Sequence, residues 1–127
     1  MVLVLDSGAI SFLAGRSRRS SAMVAALQGE GLWPPIVPSP VLIECLQGDS
    51  GKDASTNRLL KSCEILEEVD ERLARRAARL RAEARCGSAV DALVLAVAEP
   101  GGAVLTTDVG DLQALASGAF NVTVEAV

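Results

Sequence analysis

Two short apolar runs, each ending on an aspartate, constrain this chain more than any other feature. Met1-Val2-Leu3-Val4-Leu5 leads into Asp6, and Ala103-Val104-Leu105-Thr106-Thr107 leads into Asp108. A continuous apolar run suits a strand covered on both faces, as in the centre of a parallel sheet. Between the two runs, helical and extended patterns alternate. Helices are expected over Ser7–Ala14, closed by Gly15, then Ser20–Gln28 and Val41–Gln47. Others are expected from near Asp53, over Asp70–Arg85 and Ser88–Ala98, and over Val109–Ala116. Arg16–Arg19 reads as a basic turn. Ile36-Val37, Cys63–Val69 and Asn121–Val124 read as further strands, with Glu64, Glu67 and Glu68 placing the second of these at a sheet edge. Strands alternating with helices predict an α/β fold with a parallel sheet. At 127 residues, one domain over 1–127 is expected.

Composition removes whole classes of chemistry. The chain has no histidine, so Ser-His-Asp and Cys-His catalysis, His-based zinc sites and imidazole bases are excluded. Aromatic residues make up 2% of the chain, too few for a face of stacked bases. Cys45, Cys63 and Cys86 are scattered, with no CxxC spacing, and read as buried free thiols in a reducing compartment. The opening apolar run has no basic leader and is too short for a signal peptide, and no stretch has the length of a membrane span. The expectation is a cytoplasmic protein that does not enter a membrane.

The chemistry must therefore rest on oxygen. Ligands of open parallel sheets bind outside the carboxyl ends of the strands, where the strand order reverses. Asp6 and Asp108 stand at such ends, and Asp111 follows Asp108 by about one helical turn. Glu44 lies in Val41-Leu42-Ile43-Glu44-Cys45-Leu46 and Asp91 in Ala89-Val90-Asp91-Ala92-Leu93, both otherwise apolar helices. Isolated carboxylates in such settings need a partner. Several carboxylates around one point repel one another, and a divalent cation resolves both problems. An all-oxygen set selects Mg²⁺ or Mn²⁺. Each acid also has a structural reading. Asp6 is placed to cap the helix after it, Ser88-x-x-Asp91 is a variant capping box, and Asp108 and Asp111 suit the start of the helix at Val109. Glu44 has the least evident structural reading.

The same residues carry a resemblance. Leu5-Asp6-Ser7-Gly8-Ala9, Ile43-Glu44, Ser88-x-x-Asp91-Ala92-x-x-Leu95-Ala96 and Leu105-Thr106-Thr107-Asp108-Val109-Gly110-Asp111-Leu112, in that order, resemble the PIN-domain nucleases. The compact length is similar to the VapC toxins of bacterial toxin–antitoxin pairs. The resemblance implies a three-layer α/β/α sandwich around a mostly parallel sheet. It also implies a Mg²⁺- or Mn²⁺-dependent endoribonuclease that hydrolyses phosphodiesters in single-stranded RNA. Asp6, Glu44, Asp91 and Asp108 would form the acidic quartet, with Glu44 acting directly or through water and as the proton acceptor. Asp111 matches a more variable acidic position, and Ser7 and Thr106 match hydroxyl positions beside the acids. A small VapB-like antitoxin and a homodimer are implied as partners, the antitoxin lying on apolar helix surface, for which Val24, Leu27, Leu32 and Trp33 are candidates. Thr107 stands where the family often has Arg, and Leu112 where it often has an aromatic residue.

The formal charge of −4 weighs against a phosphate-rich partner, but with the five site acids set aside the remaining charges nearly balance. Arg16, Arg18 and Arg19 follow Asp6 closely and are candidates for holding RNA phosphates. The arginines of Asp70–Arg85 read as a solvated face paired with Glu71 and Glu83. An rRNA- or tRNA-processing nuclease outside a toxin pair, and an inactive PIN-like RNA-binding subunit, are the alternatives.

Overall fold

A computed structural model describes all 127 residues. Five strands form one all-parallel sheet: β1 (Leu3–Leu5), β2 (Ile36–Pro38), β3 (Glu64–Leu66), β4 (Ala103–Thr106) and β5 (Thr123–Ala126), in the order β3-β2-β1-β4-β5. Seven helices connect them: α1 (Ser7–Ala14), α2 (Arg18–Gly29), α3 (Val41–Cys45), α4 (Ala54–Leu60), α5 (Glu71–Ala84), α6 (Ala89–Ala98) and α7 (Gly110–Ala116). Helices α6 and α7 pack on the sheet with α5 behind them, and α1 gathers α2, α3 and α4 around it. The expected three-layer α/β/α sandwich is the observed fold. No helix is long and apolar enough to cross a membrane.

The two apolar runs occupy the centre. Every residue of β1 and β4 is buried, whereas the outer strands β3 and β5 expose part of their length. Leu3, Val4 and Leu5 lie in register with Ala103, Val104 and Leu105. From β1 the chain proceeds outward through β2 to β3, then crosses back to β4 and β5. The order therefore reverses between β1 and β4, and the carboxyl ends of these strands carry Asp6 and Thr106–Asp108.

Several boundaries differ from expectation for local reasons. Strand β1 begins at Leu3, with Met1 and Val2 exposed. Helix α2 begins at Arg18 because the Ser17 hydroxyl caps it, accepting the Ser20 N–H at 3.0 Å. Arg18 and Arg19 are therefore in a first helical turn, not in the basic turn that the sequence suggested. Helix α3 stops at Cys45 because the next backbone N–H groups turn to another acceptor. The buried Asp53 carboxylate, 4% exposed, accepts from Gln47, Gly48 and Asp49. Strand β5 starts at Thr123 after Asn121, whose φ of 54° makes a left-handed turn. On α5, Arg75 and Arg79 pair with Glu71 and Glu83 as expected, while Arg76 reaches Glu99 beyond α6. The three cysteines are free but only half-buried.

Gly102 positions the central strands more than its place after a helix suggests. A Cβ there would approach Val2 Cγ2 at 2.8 Å and the Val2 carbonyl at 2.9 Å, and would collide with the Ala98 carbonyl. The backbone carbonyls of Ala98 and Val2 close on the position together and leave no room to give. Gly102→Ala is expected to destabilise the fold by roughly 1–3 kcal/mol, the usual cost of overpacking, measured by chemical denaturation.

Candidate functional site

Asp6 is the first polar residue beyond β1, and the fold uses both of its oxygens. Its backbone is extended (φ −88°, ψ 179°), which makes it the N-cap of α1, and Oδ1 accepts the Ala9 N–H at 2.8 Å. Oδ2 accepts the Thr106 hydroxyl at 2.5 Å. Thr106 is the last residue of β4 and almost fully buried, and its Oγ1 in turn accepts the Asp108 N–H at 3.1 Å. One hydroxyl thus joins the ends of the two central strands and holds Asp6 and Asp108 in a fixed relation. Burial raises the pKa of Asp6. The Thr106 and Ala9 hydrogen bonds counter that shift, and the negative charge of Asp91 adds to it.

Asp6, Asp91, Asp108 and Asp111 line one cavity of about 230 Å³ together with Gly110 and Leu112. Asp91 comes from the first turn of α6. There the Ser88 hydroxyl accepts the Asp91 N–H at 3.0 Å and the Asp91 carboxylate accepts the Ser88 N–H at 3.3 Å, a complete capping box. Asp108 Oδ1 accepts the Gly110 N–H at 3.1 Å, which turns the chain into α7. Capping and lining are therefore not alternatives: the same carboxylates shape their local backbone and face a common space. No cation is among the lining residues. The donor set, four carboxylates and no nitrogen or sulfur, suits a hard divalent ion. The carboxylates of Asp6, Asp91 and Asp108 are each turned to a backbone or hydroxyl donor, and no three acids are drawn together tightly enough to form a closed ligand set. A second cleft of about 230 Å³ between α5 and α6 is lined by apolar residues and Arg81, and offers no comparable chemistry.

The remaining sequence candidates fall elsewhere. Glu44 is exposed on α3, makes no hydrogen bond or ion pair, and is not among the residues lining the cavity. The reason for singling it out was an apolar helix with no wet face. That reason does not hold, because neighbouring Ile43 is itself 83% exposed. Ser7 is half-buried at the start of α1 and its hydroxyl has no hydrogen-bond partner. Arg19 lies over the Phe12 ring, 5.6 Å from its centre. Arg16 has a left-handed backbone (φ 57°) just beyond α1.

Two contributors escaped the sequence reading. Gly8 lies close against the loop after β4, where a Cβ would displace the Thr107 hydroxyl from its present position. Asp53 stands near the expected start of a helix, and its three backbone donors become visible only once the loop before it is folded around its carboxylate.

The raised pKa of Asp6 has a consequence for stability. Below its ordinary value of 3.8 the group is protonated in both folded and unfolded chains. As pH rises, the unfolded chain ionises first and the folded state loses relative stability until Asp6 ionises as well. In EDTA, the stability of the wild type relative to Asp6→Asn, which has no such ionisation, is therefore expected to fall as pH rises from 3 to 7. Thermal unfolding across that range measures it.

The family model described as "PIN domain" matches residues 3–116. Among solved structures, VapBC2 from Rickettsia felis bound to a DNA fragment from its promoter superposes with a TM-score of 0.77 at 13% identity, over 100% of this chain and 99% of that one. A toxin–antitoxin complex from Klebsiella pneumoniae gives 0.65 at 20% identity, over 94% of each chain. FitAcB from Neisseria gonorrhoeae gives 0.65 at 21% identity, over 98% of this chain and 96% of that one. Comparison with curated proteins gives no significant match. The family match covers both central strands and every aspartate of the cavity, and the chain belongs to the PIN domain family.

Proposed function

We propose that this protein is a VapC-like toxin, a Mg²⁺- or Mn²⁺-dependent endoribonuclease that hydrolyses phosphodiester bonds in single-stranded regions of RNA. The observation that carries this reading is the convergence on one cavity of four aspartates from three separate segments: the end of β1, the start of α6 and the β4–α7 turn. Four acids with no neighbouring cation are a costly arrangement that a divalent ion relieves. Membership of the PIN domain family supports a nuclease. The likeness to VapBC2 and to a toxin–antitoxin complex supports a small VapB-like antitoxin as the partner that restrains it. A cytoplasmic homodimer completes the proposal.

In this reading Asp6, Asp91 and Asp108 hold the ion, with Asp111 assisting. The ion supplies the positive charge that activates water and offsets charge developing on the phosphoryl oxygens. Thr106 keeps Asp6 and Asp108 in register, so the two acids need no reorganisation when substrate arrives. Glu44 lies outside the residues lining the cavity, so its proposed role as acceptor of the water proton runs through a bridging water, and Ser7 is a proposed contact to substrate.

Asp6→Asn is expected to abolish cleavage of single-stranded RNA. EDTA is expected to do the same in the wild type, and Mn²⁺ to restore it. Added Mn²⁺ should raise the melting temperature of the wild type and leave that of Asp6→Asn and Asp108→Asn unmoved. Cleavage that persists in EDTA would overturn the metal-dependent mechanism. Glu44→Gln should lose about 100-fold or more if Glu44 is the base, and near-normal rates in that variant would remove it from the chemistry.

A further inference from the structure

The acidic cavity cannot by itself hold a polyanion, so an RNA substrate needs a cationic grip elsewhere on the molecule. Five of the ten arginines are engaged: Arg75, Arg76 and Arg79 with acids, Arg81 with the Gly87 carbonyl, and Arg19 with the Phe12 ring. Arg16 and Arg58 have no ion pair, hydrogen bond or ring contact, and both line one cleft of about 200 Å³ between the end of α1 and α4. Arg18, Arg72 and Arg85 have no partner either, and none of them lines that cleft. Leu13, Ala14 and Leu59 form its apolar part, and Ser55 and Ser62 add hydroxyls. No acidic side chain lines it.

We propose that the Arg16–Arg58 cleft binds a backbone phosphate of single-stranded RNA, at a subsite apart from the acidic cavity. This rests on the nuclease reading of that cavity. Guanidinium groups present forked donors matched to phosphate oxygens, and the hydroxyls supply further neutral donors. The apolar wall of Leu13 and Leu59 suits the ribose or base attached to that phosphate. The ends of α1 and α4 carry partial negative charge of about half a unit each, and two full guanidinium charges outweigh it. Position supports the assignment. Asp6 caps the start of α1 and Arg16 lies just beyond its end, so the eight-residue helix sets the two sites about 12 Å apart along its axis, a span that a few linked nucleotides cross. Arg16 also takes a left-handed backbone conformation that a glycine would adopt with less strain. The subsite uses Arg16 of the three clustered arginines and adds Arg58, which stands far from them in sequence.

The test is the double variant Arg16→Gly/Arg58→Ala, in which glycine suits the backbone at position 16. Binding of a fluorescently labelled single-stranded oligoribonucleotide is followed by anisotropy in EDTA, where no cleavage is required. The expected result is at least a tenfold loss of affinity. The slope of log affinity against log salt should become shallower by about 0.7, the value for one lost phosphate contact on a single strand. Arg16→Lys/Arg58→Lys should recover part of the affinity. In Mn²⁺ the loss should fall mainly on KM. Unchanged affinity and salt slope, with unfolding as in the wild type, would overturn the subsite. A labelled oligoglutamate of equal charge that binds more tightly than the RNA, and loses that binding in the variant, would also overturn it, by reassigning the cleft to an acidic protein segment. If the wild type binds RNA through this cleft but never cleaves it, the subsite stands and the nuclease reading fails.

Discussion

A strand buried on both faces can carry almost nothing polar along its length, and this constraint organises the molecule. Strands β1 and β4 lie side by side at the centre of the sheet with every residue buried. Polar side chains can appear only where those strands end, and because the strands are parallel and in register, the ends lie together. The one polar residue inside them, Thr106, sits at the last position of β4 and has its hydroxyl fully used, donating to Asp6 and accepting from Asp108. Burial makes that pair of hydrogen bonds obligatory, so the core itself enforces the relation between the two aspartates.

The acids of the cavity serve the fold as well as the proposed chemistry. Asp6 caps α1, Asp91 closes the capping box of α6 and Asp108 turns the chain toward α7. Each carboxylate is thereby anchored at a helix start, where backbone N–H groups favour negative charge. This is how like-charged groups are kept near one another. The helix starts supply part of the stabilisation, burial still raises the pKa of Asp6, and a divalent ion would offset what repulsion is left. The capping roles also explain why single substitutions here are read through both stability and activity.

Charge is distributed unevenly around this centre. The cavity contains acids alone, the α5 arginines are largely neutralised by Glu71, Glu83 and Glu99, and the unpartnered Arg16 and Arg58 meet at the far end of α1. A net charge of −4 therefore conceals a local cationic cleft one helix away from the acids. Whole-chain charge describes solubility and long-range steering, while binding depends on which charges are left without a partner.

The alternation of apolar runs with helical patterns was enough to establish a parallel α/β sheet. Its period and its lack of polar interruption report local geometry and burial directly, and the aspartates at the strand ends follow from the same pattern. Helix caps at Asp6 and Ser88 were legible too, because a cap is a contact three residues long. What depended on distant segments was not legible. Glu44 was singled out from the apolar residues around it, yet its exposure is set by what packs on α3. The burial of Asp53, the close approach of position 8 to Thr107 and the meeting of Arg16 with Arg58 likewise join segments that the sequence separates. Periodicity and capping are properties of a few consecutive residues, so the sequence determined the elements and their ends. Exposure and convergence are properties of elements packed together, so only the tertiary structure decided which acids share a cavity and which arginines are free to bind.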